Sequence, residues 1–355
     1  MKKLVRRLIP DQWWSALQQA RETAQKSQAR VLGKSPLGAR LYYSLSPKFG
    51  REMRAVMAGR AASLPPAGSG YRFQLRRNLH RIEKGLVSRP RRTTWAFSYI
   101  GETTEMLKRY LAGVDDPNED PLAIWATGVL TTYFSAVGSH PVVDEARATF
   151  DSLDVATEPA IGPSSPFVRP IEPPPVEYDQ ILALARRRRS VRWYVDQPVP
   201  RDLVDQAIAV AAQSPSSCNR QPFSFRVFDD PALVKKIAAV PMGTAGFSDG
   251  FTGVIVVVGD LCGFALERDR HLIYIDSSLA SMAFMLAAET LGFSTCPINW
   301  PDIPDREREL QRIMDLQPFE RPVMFIAYGY ADPEGLIPSS VKRPISELRT
   351  FNGIS

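Results

Sequence analysis

The spacing of apolar positions changes character near residue 155. Before it, long stretches lack the two-residue alternation of strands, and helix formers dominate residues 12–29 and 103–111. Residues 123–137 are continuously apolar but too short to span a bilayer, which predicts a buried helix. Beyond residue 177 helices and strands alternate. Residues 178–188 and 201–212 predict helices, the second with Leu203, Val204, Ala207, Ile208 and Ala211 on one face. Residues 223–228 predict a strand, 231–239 a short helix, and 253–259 and 322–328 two strands buried on both faces. Residues 276–291 predict a helix that is apolar nearly all round and so buried on all sides. It is either the central helix of a monomer or a helix at a homodimer interface.

The two halves are joined by a stretch crowded with proline: Pro159, Pro163, Pro166, Pro170, Pro173, Pro174 and Pro175. Such a density gives an extended, semi-rigid segment, either a linker or an arm across another surface. The expected organisation is a helical region over 1–155, a linker or arm over 156–177 and an α+β domain over 178–355. The last has a central mixed sheet flanked by helices.

Composition narrows the function. The chain has 355 residues, 44% hydrophobic and 23% charged, which is globular and large enough to bury a core without staples. The net charge of +6 is mild, with basic clusters at 2–7, 72–92 and 186–192 and no recognition motif, so no nucleic-acid partner is expected. Cys218, Cys262 and Cys296 form no CxxC, which argues against a disulfide framework and fits a reducing cytoplasm. His80, His140 and His271 lie far apart and no metal site is expected. No run of about 18 apolar residues suggests a membrane span. The basic start lacks the apolar stretch of a secretory signal. With Trp13, Trp14 and Leu17 it predicts an amphipathic helix, packed on the protein's own body in preference to a membrane or partner surface.

Four segments carry candidate chemistry. Arg186-Arg-Arg-Arg-Ser-Val-Arg192 ends a helix, and its guanidinium groups suit bidentate phosphate binding. Alone, such a charge run is more often a solvated face. Ser214-Pro-Ser-Ser-Cys-Asn-Arg-Gln-Pro222 is either an ordinary turn or a polar rim for a flat heterocycle. Gly292-Phe-Ser-Thr-Cys-Pro-Ile-Asn-Trp300 reads as a loop after a helix end at Gly292, with backbone N–H groups beside an apolar wall. Lys342-Arg343-Pro344 is nonspecific by itself.

In this order and spacing the four segments resemble the FMN-dependent nitroreductase superfamily, over roughly residues 178–348. The resemblance implies that Arg188, Arg189, Ser190 and Arg192 grip the FMN phosphate and ribityl chain. It implies that Pro215, Ser216, Ser217, Asn219 and Gln221 reach the flavin of the other subunit of a homodimer. Asp276-Ser-Ser-Leu-Ala280 corresponds to the family's dimer-core helix. Pro297, Ile298 and Asn299 form the loop whose last residue offers a backbone N–H to flavin N5, and Lys342 or Arg343 closes on the phosphate. Residues 242–249 match the family poorly, and the substrate-shaping region at 261–275 is short, with His271 and Tyr274 as candidate substrate contacts beside the blander reading of surface or packing residues.

The chemistry so implied is ping-pong. NAD(P)H delivers hydride to FMN and leaves, then a small-molecule acceptor takes its place. No GxGxxG fingerprint is present, so nicotinamide would bind only transiently. Two alternatives stand beside this reading: an FMN-dependent dehydrogenase acting on a sugar- or peptide-derived substrate, and a non-catalytic flavin-binding scaffold. The segment from Tyr71 to Leu86, with Arg89 to Arg92, resembles the helical extension of some long bacterial relatives, some of them associated with surface-polysaccharide synthesis. Its basic face is either a surface for an anionic substrate or flavin, or a solvated, salt-bridged helix.

Overall fold

A computed structural model describes residues 10–63, 70–155 and 164–353. The basic residues 2–7, and Pro159 and Pro163, lie outside the described residues. The chain divides into two compact units, residues 1–55 and 56–355.

The first unit holds helices α1 (Asp11–Leu32) and α2 (Pro36–Leu45) and the opening turns of α3 (Gly50–Ser63). Ser35 starts α2, its side chain accepting the Gly38 N–H, with Pro36 set in the first turn. Trp13 and Leu17 of α1 are exposed.

The second unit contains two bodies of core. In the first, α4 (Tyr71–Leu86), α5 (Ile100–Leu111), α6 (Pro121–Ala136) and α7 (Pro141–Asp151) surround one apolar cluster. Leu75, Leu79 and Ile82 of α4 recur at helical spacing and meet Leu107, Leu130 and Tyr133. Asp120 caps α6 by accepting from the Leu122 and Ala123 N–H groups, and α6 is the buried helix the sequence predicts. Gly85 lets α4 lie against Trp95: a Cβ there would sit 2.2 Å from the indole nitrogen.

The second body begins with α8 (Tyr178–Arg187), opened by a capping box between Glu177 and Gln180. There follow α9 (Arg201–Ala211), β1 (Phe223–Phe228), α10 (Pro231–Ala238), β2 (Gly253–Asp260) and α11 (Leu272–Thr290). The chain continues through β3 (Ser294–Asn299), α12 (Pro304–Met314), β4 (Glu320–Gly329) and α13 (Ile345–Leu348). The sheet order is β1-β2-β4-β3. All its pairings are antiparallel. The mixed character expected of it is confined to one parallel bridge, Ser190 with Thr295. Strand β2 shows why its sequence is apolar throughout. Val254, Val256 and Val258 enter the core on one face, and Ile255 and Val257 enter the core on the other.

Two elements differ from the sequence reading. Helix α11 begins at Leu272, earlier than predicted, and it is long and apolar enough to cross a membrane, yet it packs on α9 and the sheet as a core helix. The stretch read as a loop after Gly292 is strand β3. Gly292 does end the helix, with φ +87°. Beyond it Cys296 and Ile298 bury into the core while the backbone pairs with β4. Pro297 is tolerated because β3 is an edge strand.

Candidate active site

The basic segment leaves α8 at Arg188, whose backbone turns extended (φ −58°, ψ 120°). Ser190 then bridges Thr295, and the Val191 N–H donates to the Thr295 carbonyl at 3.1 Å. Residues 188–192 are thereby fastened alongside β3. Two polar atoms here are buried and have no partner: Nε of Arg188 and Oγ1 of Thr295. Arg192 donates to the Ser190 carbonyl at 3.2 Å and lies 5.6 Å from the Phe247 ring. Burial pushes the Cys296 thiol up, opposed by Arg192 and Arg188, so the interior beside this segment is electropositive. Arg189 is employed differently: it donates to the carbonyls of Pro338 and Ser339 and holds the C-terminal arm.

The Pro-Ser-Ser loop is unusual in its backbone. Cys218, Asn219 and Gln221 all have positive φ, at 53°, 52° and 54°. Left-handed backbone at three non-glycine residues is costly and is held only by surrounding structure. That structure is visible. Ser216 Oγ accepts the Gln221 N–H at 3.1 Å, and the Gln221 side-chain amide donates to Asn219 Oδ1 at 3.1 Å. From α11 the buried Asp276 carboxylate accepts the Ser217 N–H at 3.0 Å. Burial raises the Asp276 pKa, while the Ser217 bond and Arg220 oppose the rise.

The remaining expected residues are scattered around these two features. Pro297 and Ile298 lie in β3, and Asn299 ends it, exposed. Arg343, just before α13, pairs with Glu347 of that helix at 2.9 Å, and Lys342 is exposed. His271 is exposed at the start of α11, and Tyr274 is half-buried in its first turn.

Helix α4 packs against the turn Ser217–Asn219, bringing the helical body to the loop. Between α4, α5 and residues 265–269 opens a cavity of about 610 Å³. Its walls include Tyr71, Arg77, Glu105, Met106, Arg220 and Leu266. Arg220 and Thr295 escaped the sequence reading. Arg220 occupies a variable position of its motif, and Thr295 reads as an ordinary strand residue. Nothing in their local sequence marks either as buried with an unsatisfied donor.

The family described as "Nitroreductase family" matches residues 185–247 and 253–330. Iodotyrosine deiodinase 1 of Rattus norvegicus is 35% identical over 200 residues, 48% of this chain and 68% of that protein. The chain belongs to the nitroreductase family. An FMN reductase [NAD(P)H] of Bacillus subtilis is 24% identical over 188 residues, covering 49% of this chain and 75% of its own. Among solved structures, an FMN-dependent nitroreductase of Clostridium difficile R20291 has 21% identity and a TM-score of 0.42. It covers 49% of this chain and 99% of its own. As a nitroreductase-family member the chain carries an addition: the helices over residues 71–151 lie before the matched segment.

Proposed function

We propose that this protein is an FMN-dependent oxidoreductase that takes hydride from NAD(P)H and passes it to a small-molecule acceptor. The observation that carries the reading is the pair of orphaned donors, Arg188 Nε and Thr295 Oγ1, beside Ser190. Buried polar atoms without partners are rare in folded proteins, and a cationic nitrogen with a hydroxyl suits a phosphate. Arg188, Ser190 and Arg192 would hold that phosphate. Arg189, engaged with the arm, would contribute by keeping residues 338–339 against the same segment. FMN, when bound, supplies the hydride chemistry. The chain supplies position: the backbone N–H of Asn299 for flavin N5, and the polar rim of Ser216, Ser217, Asn219 and Gln221 for a flavin held across a homodimer.

The dimer is supported by the outer side of α11. Ile275, Leu279 and Met282 recur at helical spacing and are 47%, 45% and 40% exposed. A second copy covering this stripe would bury what a monomer leaves in water. The C-terminal arm, with Leu336, Val341, Leu348 and Phe351 exposed, supports the same assembly.

Purification tests the proposal directly. The protein is expected to be yellow and to release FMN on denaturation, and its visible absorption should bleach on adding NADH or NADPH without oxygen. A protein that remains colourless when incubated with FMN would refute the enzyme reading; a yellow protein that neither nucleotide bleaches would refute the reductase direction.

A further inference from the structure

We propose that the cavity between α4, α5 and residues 265–269 is a binding site for a small organic anion, a carboxylate or a phosphate ester, anchored on Arg220 and Arg77.

Arg220 is the reason. It is only 5% exposed, and a guanidinium stays charged in any protein environment. Its protein partners are weak: one nitrogen reaches the Ser217 carbonyl and hydroxyl, both at 3.3 Å. Its Nε is buried with no partner. Asp269 on the cavity wall and Asp276 on α11 attract it, but neither forms a direct ion pair with it among the described residues. Its flat face rests 4.9 Å from the Phe264 ring. A buried charge without a directly paired counter-ion is costly, and a ligand that completes the pairing relieves that cost. Burial lowers the Arg220 pKa; Arg77, which lines the same cavity, lowers it too, while Cys218, Asp269 and Asp276 oppose the shift. An anion bound between the two guanidinium groups relieves both penalties.

The other walls define the class of ligand. Tyr71, Met106 and Leu266 offer apolar surface for an organic body. Three acids line the cavity, the exposed Glu102 and Glu105 and the half-buried Asp269, so negative charge stands mainly toward its solvent side. Such a rim opposes polyanions and admits a compact molecule with a single anionic head. The volume of about 610 Å³ lies within the ordinary range for small-molecule sites.

The inference is independent of the flavin reading. It is tested by calorimetric titration of the full-length, flavin-loaded protein with benzoate, phenyl phosphate and inorganic phosphate. One-to-one binding of benzoate or phenyl phosphate is expected, and the tighter of the two assigns the head group. Arg220→Gln should weaken that binding at least tenfold and keep its FMN. Arg77→Gln should weaken it severalfold, and Glu102→Gln with Glu105→Gln, both on exposed side chains, should tighten it. Failure of both organic probes to bind, or binding of inorganic phosphate alone, would overturn the proposal. So would unchanged binding in both arginine variants, or loss of FMN from Arg220→Gln, which would assign Arg220 to the cofactor. Should Arg220→Gln not fold, unchanged binding in Arg77→Gln is sufficient to overturn it. A protein that binds no FMN yet binds benzoate through Arg220 would refute the flavin reading and sustain this one.

Discussion

Cys218, Asn219 and Gln221 carry positive φ without the freedom of glycine. Each such residue costs of order 1 kcal/mol, and the anchors that hold it become the sensitive positions. Asp276 is one of these anchors. Replacing it with alanine removes the acceptor of the Ser217 N–H. The expected loss is about 1–3 kcal/mol by denaturant unfolding. Asp276→Asn keeps an acceptor and removes the charge. Burial raises the Asp276 pKa, so the native state holds the proton more tightly than the unfolded chain. This group therefore favours folding below its ordinary pKa of 3.8 and withdraws stability as pH rises from there through the raised value. Compared with wild type, Asp276→Asn should gain melting temperature across that window and hold a constant gain above it. A difference independent of pH would contradict the assignment. At the proposed phosphate grip, Arg188→Ala with Arg192→Ala should abolish FMN retention while circular dichroism is unchanged. Full retention would refute the grip. The serines, Asn219 and Gln221 were legible because residue type and spacing announce a polar loop. Arg220 was not, because its burial is imposed by α4, more than a hundred residues earlier in the chain.

Helices and strands were legible wherever one face met the core at a regular period. Strands β1, β2 and β4 fall where alternation or continuous apolarity put them. Strand β3 did not announce itself, since Gly292 and Pro297 speak for a turn and only pairing with β4 makes the stretch extended. The end of β3 is secured by tertiary contacts. Trp300 stacks on Phe325 at 5.0 Å and donates to Glu307 at 2.8 Å, and Glu307 also meets the buried Arg321 at 3.3 Å. Among the described residues, Glu307→Ala leaves Arg321 the more distant Asp302, at 3.6 Å, as its ion-pair partner. A loss of about 3 kcal/mol is expected in chemical unfolding. Strand β2 has a steric limit of its own. A Cβ on Gly253 would lie 2.2 Å from the Tyr328 ring. Gly253→Ala should therefore destabilise by about 1–3 kcal/mol, since neither strand has room to withdraw.

At the scale of the whole molecule, the apolar clusters are assembled from residues 75–150 and from residues 191–328. The apolar cluster of α4 to α7 is separate from the two clusters that sandwich the sheet. The compact units divide at residue 55, because α4 packs on the Ser217–Asn219 turn and on the turn Leu261–Gly263. Sequence patterns record which elements exist. They do not record which distant surfaces they meet. For the proposed dimer, Leu279→Glu places a charge in the exposed stripe of α11. It should yield monomers in sedimentation, with FMN lost on dilution; an unchanged dimer would move the interface elsewhere.

Ile275 and Asp276 are neighbours on α11, one exposed and one buried on the Ser217 amide. A helix turns about 100° per residue, so the two point to different surroundings from one short piece of backbone. Under the proposed assembly, this makes the dimer surface and the loop heritable as a unit. A gene duplicate drifting toward a new partner would have to rotate or shift that turn, and the strained loop would be reshaped with it. Diversification of this branch should therefore be easier in α5 (Ile100–Leu111), which borders the cavity and packs on the other helices of its own body.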